Sequence, residues 1–401
     1  MLPKDSLPPR PIFKYYIYVA TAWGGFHVPV NVLMFRSRGL SFTEIGLVVA
    51  AGSAVTLLAE IPSGYAADRL GRRNSLLLSA GLMTSGSLVF ALAGTFPAFV
   101  LAQATFVLGI SFRSGTSGAW LYDTLSEMDR EDDYAHVSGR GQTALLVVMG
   151  VTSVAGGYLG QIDYGLAYLA TAATTAISFL AALTFREPSP TDDDNDNLDI
   201  ETIRSVITEE LTQPRLRDAV IGLALFFGVA TTANSVLVQP LSVGAGVPEA
   251  QIGWLYATFT GVGAAVSYVT GWVEEQLGTE HTLVVAPFLV AVALGAGGVV
   301  TLAVVPGFVV MRGLQRLVKP LSGQLINDEL SSVGRATALS VIALVYSVVG
   351  IPLRVAVGRA TDVFASETIL FGLAGLLIVA GAYLGVRMST TRGDPQAQPS
   401  D

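Results

Sequence analysis

The chain has 401 residues, of which 51% are hydrophobic and only 13% charged, about half the charged share of an average soluble domain. That balance excludes an ordinary soluble enzyme, and the absence of cysteine excludes disulfides, thiolate zinc sites and iron–sulfur clusters. The formal net charge of −8 rests on acids gathered in polar intervals, Glu127 to Asp133 and Asp192 to Glu201, which read either as a surface adapted to high salt or as plain acidic linker.

A membrane-crossing helix needs about 20 mostly apolar residues. Such stretches are predicted at 12–35, 43–67, 75–95, 97–125, 137–160 and 164–185, and again at 217–241, 249–273, 281–303, 306–329, 334–358 and 366–388. Ahead of them, Met1 to Pro11 shows no apolar core with a small-residue cleavage site, so no removable signal peptide is expected. The polar interval 186–216 divides the chain into two six-helix bundles, residues 1–185 and 217–401. It opens with Pro188 and Pro190 and runs through TDDDND. It then places Ile203, Val206, Ile207 and Leu211 at helical spacing, as in a short surface helix or a plain solvated linker. The fold class is all-α membrane protein, twelve transmembrane helices in two pseudo-symmetric bundles. With both termini inside, 15 of the 23 Lys and Arg fall in cytoplasmic segments and only Arg36, Arg38 and Arg359 fall outside, so both ends are expected in the cytoplasm of a cell-membrane protein.

The bundles repeat. Glu44 to Gly71 (EIGLVVAAGSAVTLLAEIPSGYAADRLG) aligns without gaps with Gln251 to Gly278 at a shift of 207 residues, and Ser117 to Leu125 aligns with Ser322 to Leu330 at a shift of 205. Gly139-Arg140 and Gly334-Arg335 follow, each soon succeeded by Thr-Ala-Leu. Parallel repeats of this kind are related by an axis along the membrane normal.

With these features the sequence resembles the major facilitator superfamily along nearly its whole length. The most specific piece is GYAADRLGRR, Gly64 to Arg73, which is similar to the family's loop signature after the second span. The resemblance implies a cytoplasmic gate built from Gly64, Asp68, Arg69, Gly71, Arg72 and Arg73. Asp123 and Arg140 join it, with Asp328 and Arg335 as counterparts in the second half. The second copy keeps Gly271, Glu275 and Gly278 but lacks the arginines, so a weaker latch is expected there. The resemblance also implies that the first, fourth, seventh and tenth spans line a central cavity.

Ionisable groups at membrane depth are expensive and therefore functional candidates. Glu60 lies eight residues inside Asp68, ~12 Å, and Arg113 ten residues inside Asp123, ~15 Å. They could meet, either as a proton-coupling switch or as a structural ion pair. Arg312, Arg316 and Lys319 share one face of the tenth span and make the cavity basic, which favours an anionic substrate. Arg354, near the outer end of the eleventh span, reads as a snorkelling side chain. Trp23, His27 and Asn31 lie on one face of the first span, and the 207-residue shift sets Asn234 opposite His27. Span five carries Gly156-Gly157, but Thr152-Ser153 stands where the family's antiporters have Gly-Pro.

Together these readings imply a secondary active transporter of a small organic solute, proton-coupled, working by alternating access. A non-transporting sensor or scaffold on the same fold is the alternative. No catalytic residue, metal site or cofactor is expected: His27, His136 and His281 are scattered, and no GxxxxGK[ST] motif is present to use ATP. The expected partners are a small-molecule substrate, a proton or other coupling ion and membrane lipids. Nucleic acid is not among them, and the chain is expected to act as a monomer.

Overall fold

The computed structural model describes residues 8–189, 212–330 and 335–390, without the side chains of residues 60–62, 64–68, 335–337, 340 and 389–390. The acidic stretch and surface helix expected within 190–211 lie outside the described residues, as do the side chains of Glu60, Asp68 and Arg335 and the surroundings of Gly64.

Among the described residues every regular element is helical, as the lipid solvent demands, because a helix satisfies its own backbone hydrogen bonds. Eleven segments are long and apolar enough to cross a membrane. In the first half these are Phe42–Leu70, Arg72–Leu92, Phe96–Arg113 with Thr116–Ser126, Tyr134–Ile162 and Tyr164–Leu183. In the second half they are Pro214–Thr232 continuing to Gly244, Ile252–Leu277, Thr279–Val299, Val304–Glu329, Arg335–Val363 and Ser366–Thr390. The remaining span is broken into Arg10–Thr21 and Asn31–Ser37. With it the count is twelve, and each span lies within a few residues of its expected position.

The chain packs as two compact units: Met1–Leu40, Ala51–Asn197 and Pro248–Thr260 form one, and Ser41–Ala50, Leu198–Val247 and Gly261–Asp401 form the other. The core of the first holds a stack of Tyr15, Trp120 and Phe185, with ring centroids 6.2 and 4.0 Å apart. A second aromatic group there joins Phe35, Phe90, Phe99 and Tyr168. In the second unit Phe226, Phe308, Met311 and Leu377 are fully buried. Large apolar side chains also face outward: Leu92 is 85% exposed, Leu302 82% and Leu58 74%. In water such a surface would drive aggregation; in hydrocarbon it is solvated.

Glycines set where helices touch. Gly71 and Gly278, equivalent in the repeat, both take positive φ (84° and 75°) at the turn into the next helix, a conformation that other residues resist. In the first unit a Cβ on Gly253 would strike the carbonyl of Ser153 and the Cα of Val154. In the second unit Gly46 meets the Arg354 carbonyl and the Val355 Cα in the same manner. Since Gly46 and Gly253 are equivalent at a shift of 207, this crossing equates Ser153 with Arg354, a shift of 201. The helices Tyr134–Ile162 and Arg335–Val363 end at that same shift.

The crossings are the packing constraint most easily tested. Gly253→Val is expected to cost about 1–3 kcal/mol by overpacking, seen as a lower unfolding midpoint in detergent. Gly261→Val, at a site with nothing within 4 Å, should leave the midpoint unchanged. Equal midpoints for the two variants would refute the assignment.

Candidate functional site

Three of the four spans expected to line the cavity are interrupted. The first loses its helix from Ala22 to Val30, through Gly24 and Gly25 at φ 71° and 67°. The fourth breaks at Ser114-Gly115, with Gly115 at φ 75°. The seventh passes through a π turn at Ala233–Leu237, a distortion that often marks functional sites. The breaks in the first and seventh spans coincide under the 207-residue shift, and paired interruptions are where transporter repeats place their sites.

Around the first break, His27 Nδ1 lies 3.2 Å from Thr171 Oγ1, and the His27 N–H donates to the same oxygen at 3.3 Å. The imidazole packs on Phe106 and Tyr168, with centroids 5.4 and 5.2 Å away. Arg113, the last helical residue before the break in the fourth span, sets its guanidinium 5.4 Å from the centre of the Trp23 ring, a cation–π contact. Trp23, His27 and Arg113 therefore share one neighbourhood. Asn31 accepts from the Val32 N–H at 2.8 Å and so marks the restart of its helix. Gly156 is pressed against the Phe26 backbone and Gly157 against Ala250 and Gly253, so the expected glycine pair holds two neighbours at once. Asn234 sits within the π turn, its amide oxygen buried without a hydrogen-bond partner among the described residues.

A second site lies wholly within the second unit. A cavity of about 500 Å³ is lined by Arg312, Arg316, Lys319 and Arg354, by Phe227 and Tyr346, and by Gln315 and Ser322 among others. No carboxylate among the described residues lines it. The Arg316 side chain runs beside Gly263, at ordinary contact distance from where a Cβ would stand. Arg312 Nη1 donates to Gln315 Oε1 at 3.3 Å. The stripe expected on the tenth span thus faces a cavity. Arg354 does not snorkel: it joins the stripe, and its Nε and Nη1 are buried without hydrogen-bond partners among the described residues.

At the face where the bundles begin and end, Arg72 Nε approaches Asp123 Oδ2 at 2.8 Å, with Asp123 almost fully buried. Glu187 accepts from the Arg72 and Arg73 backbone N–H groups at 2.6 and 3.0 Å, which suits the positive end of the helix starting there. Arg69 carries further contacts, and Arg140 is exposed. In the second unit the corresponding positions bear acids. Glu280 and Glu329 are both bridged by Arg215, at 2.5 and 3.2 Å, while Asp328 lies beside them in the same depression. The arginines missing from the second loop copy are thus replaced by one from the start of the seventh span. Asp218 adds contacts to Arg217, Arg387 and Tyr383 at 3.0, 3.5 and 2.9 Å.

Residues 15–351 match the Major Facilitator Superfamily. YxaM, an uncharacterized MFS-type transporter of Bacillus subtilis (strain 168), is 24% identical over 238 residues, 58% of this chain and 58% of its own. YfkF of the same organism, likewise an uncharacterized MFS-type transporter, is 31% identical over 113 residues, 25% of this chain and 27% of its own. The chain thus spans little more than half the length of the first relative and about a quarter of the second. The nucleoside transporter NupG superimposes with a TM-score of 0.81 at 13% identity, covering 95% of this chain and 99% of that one. A bacterial homolog of the human lysosomal transporter Spinster, inward-facing and occupied, gives 0.74 at 15% identity over 94% and 95%. A D-xylose–proton symporter gives 0.71 at 10% identity over 93% and 95%. At these identities the likeness is one of fold. Twelve helices, interruptions at matching places in the repeat and a family match from residue 15 to residue 351 lead to one conclusion: the chain belongs to the Major Facilitator Superfamily.

Proposed function

We propose that the chain is a secondary active transporter that carries a small organic anion across the cell membrane by alternating access, coupled to protons, as a monomer with both termini in the cytoplasm. The observation that supports an anionic substrate is the cavity of the second unit, which Arg316, Lys319 and Arg354 line together with Arg312 and which no described carboxylate lines. A single charge at the centre of a helix in lipid costs about 2.5–3.5 kcal/mol, so four such groups need a purpose. An anion entering the cavity exchanges its hydration for charge-assisted hydrogen bonds, about twice as strong as neutral ones.

Proton coupling is assigned to Glu60 with Arg113, near Trp23 and His27. It is supported by the depth of Glu60 in the sequence and by a neighbour of the same fold that is a proton symporter. The Arg72–Asp123 pair and the Arg215 bridge stand as the gate on the cytoplasmic side. Contacts that exist in one state and open in the other set the balance between states.

Arg316→Ala and Lys319→Ala are expected to abolish uptake of the anion into proteoliposomes while the variants still elute as folded monomers. Undiminished uptake in either would remove the anionic assignment, and a wild-type protein that binds anions without moving them would be a sensor on the transporter fold. Glu60→Gln is expected to stop accumulation driven by a pH gradient while leaving exchange of labelled for unlabelled substrate. Gradient-driven accumulation that survives this substitution rules Glu60 out as the coupling group.

A further inference from the structure

The second-unit cavity has two kinds of wall. Its cations Arg312, Arg316 and Lys319 stand on Val304–Glu329. Leu339, Ile342 and Tyr346 stand on Arg335–Val363, with Phe227 beside them. Intervals of three and seven from Leu339 put these side chains on one face of the helix, an apolar stretch ~10 Å long. Ser347 also lines the cavity, but its hydroxyl donates to the Ala343 carbonyl at 3.1 Å. The Phe227 and Tyr346 ring centroids are 5.4 Å apart, so the two rings make one surface.

At the end of this apolar stretch the helix turns polar. Arg354 follows Tyr346 by eight residues, two turns along the same side, with Gly350 midway. The guanidinium folds back over Gly350: its Nη1, Cζ and Nη2 lie 2.9, 3.4 and 3.5 Å from where a Cβ would stand. The missing side chain thus lets the charge rest against the helix, one turn or ~6 Å nearer Tyr346 than its own Cα. It lies in the same cavity as the other cations. Arg354 Nε and Nη1 and the Tyr346 hydroxyl are buried and find no hydrogen-bond partner among the described residues. A guanidinium does not discharge to escape burial, and a buried donor without an acceptor is costly. Two such donors beside an apolar surface suit a ligand that is acidic at one end and apolar at the other.

We infer that Arg354 and the Tyr346 hydroxyl hold the acid group of an amphipathic organic acid, whose apolar body lies along Ile342, Leu339 and Phe227. Gly350 is the positioning residue, and Arg316 and Lys319 add positive charge from the neighbouring helix. The inference rests on the anionic-substrate reading proposed above and specifies the shape of that substrate.

The test uses the full chain in detergent and four probes, with affinities from isothermal titration. They are benzoate, acetate (which lacks the ring), benzamide (which lacks the charge) and inorganic phosphate. Benzoate is expected to bind about tenfold or more tightly than each of the others, the range of one charge-assisted hydrogen bond or a few buried apolar carbons. Gly350→Ala adds one methyl group and favours helix, so it should keep the unfolding midpoint while displacing the guanidinium and weakening benzoate about tenfold. Tyr346→Phe and Arg354→Gln should weaken it at least as much. Acetate or phosphate binding as tightly as benzoate, or benzoate binding undiminished in any of the three variants, would overturn this inference and leave the anionic reading standing. Benzamide binding as tightly as benzoate, or no binding of any probe, would overturn both.

Discussion

No water reaches the hydrocarbon layer to satisfy an open N–H or C=O, and this constraint governs the whole architecture. A span can leave the helical path only where other protein groups, or a wet cavity, take over its orphaned backbone. The chain breaks helix in spans one, four and seven, and the first of these breaks is cradled by Thr171, Gly156 and neighbouring helices. Departures from regular helix therefore locate protein-lined space independently of any motif. Those of spans one and seven fall at matching places in the repeat, while the break in span four has no counterpart in the continuous helix Val304–Glu329.

The same scarcity of water sorts the charges. Where the helices meet the aqueous face, cations and acids alternate and neutralise one another: Arg72 with Asp123, Glu187 at the amino end of the helix begun by Arg72, and Arg215 between Glu280 and Glu329. The two networks have opposite polarity at equivalent positions, arginines following Gly71 and an acid following Gly278, yet in each an arginine meets a carboxylate. The second-unit cavity differs, in that Arg312, Arg316, Lys319 and Arg354 line it and no described carboxylate does. A cluster of cations inside a membrane protein is costly unless counter-charge reaches it.

Much of this was legible in the sequence. Hydropathy located all twelve spans because burial in lipid is a sum over about 20 residues that tolerates local irregularity. For the same reason it was blind to irregularity: Ala22 to Val30 is mostly apolar whether or not it is helical, and Gly24-Gly25 and Pro29 were the hints of the break. The stripe of Arg312, Arg316 and Lys319 was readable because helical spacing fixes a shared face. Arg354 was misread because counting along a span gives depth but not direction, and near an end both snorkelling and inward projection are open to an arginine. The signal that separates them was present: Tyr346, Gly350 and Arg354 recur at intervals of four, one face carrying a ring, a gap and a charge. Arg215 was invisible to repeat alignment because alignment compares equivalent positions, and this cation reaches the acids from a position that is not equivalent.

The glycine crossings carry the argument one step further. They equate Ser153 with Arg354, so the same place in the repeat bears a small buried hydroxyl in one half and a guanidinium in the other. The scaffold needs only a backbone carbonyl at that place, to lie against Gly253 or Gly46, and leaves the side chain free to differ. A duplicated bundle begins with identical surfaces on both sides of its axis and cannot by itself tell one end of a ligand from the other. Differences at positions that packing does not constrain are what give such a site polarity. Ser153 and Arg354 differ in charge at a place where the backbones agree, so packing leaves that position free to diverge between the two halves.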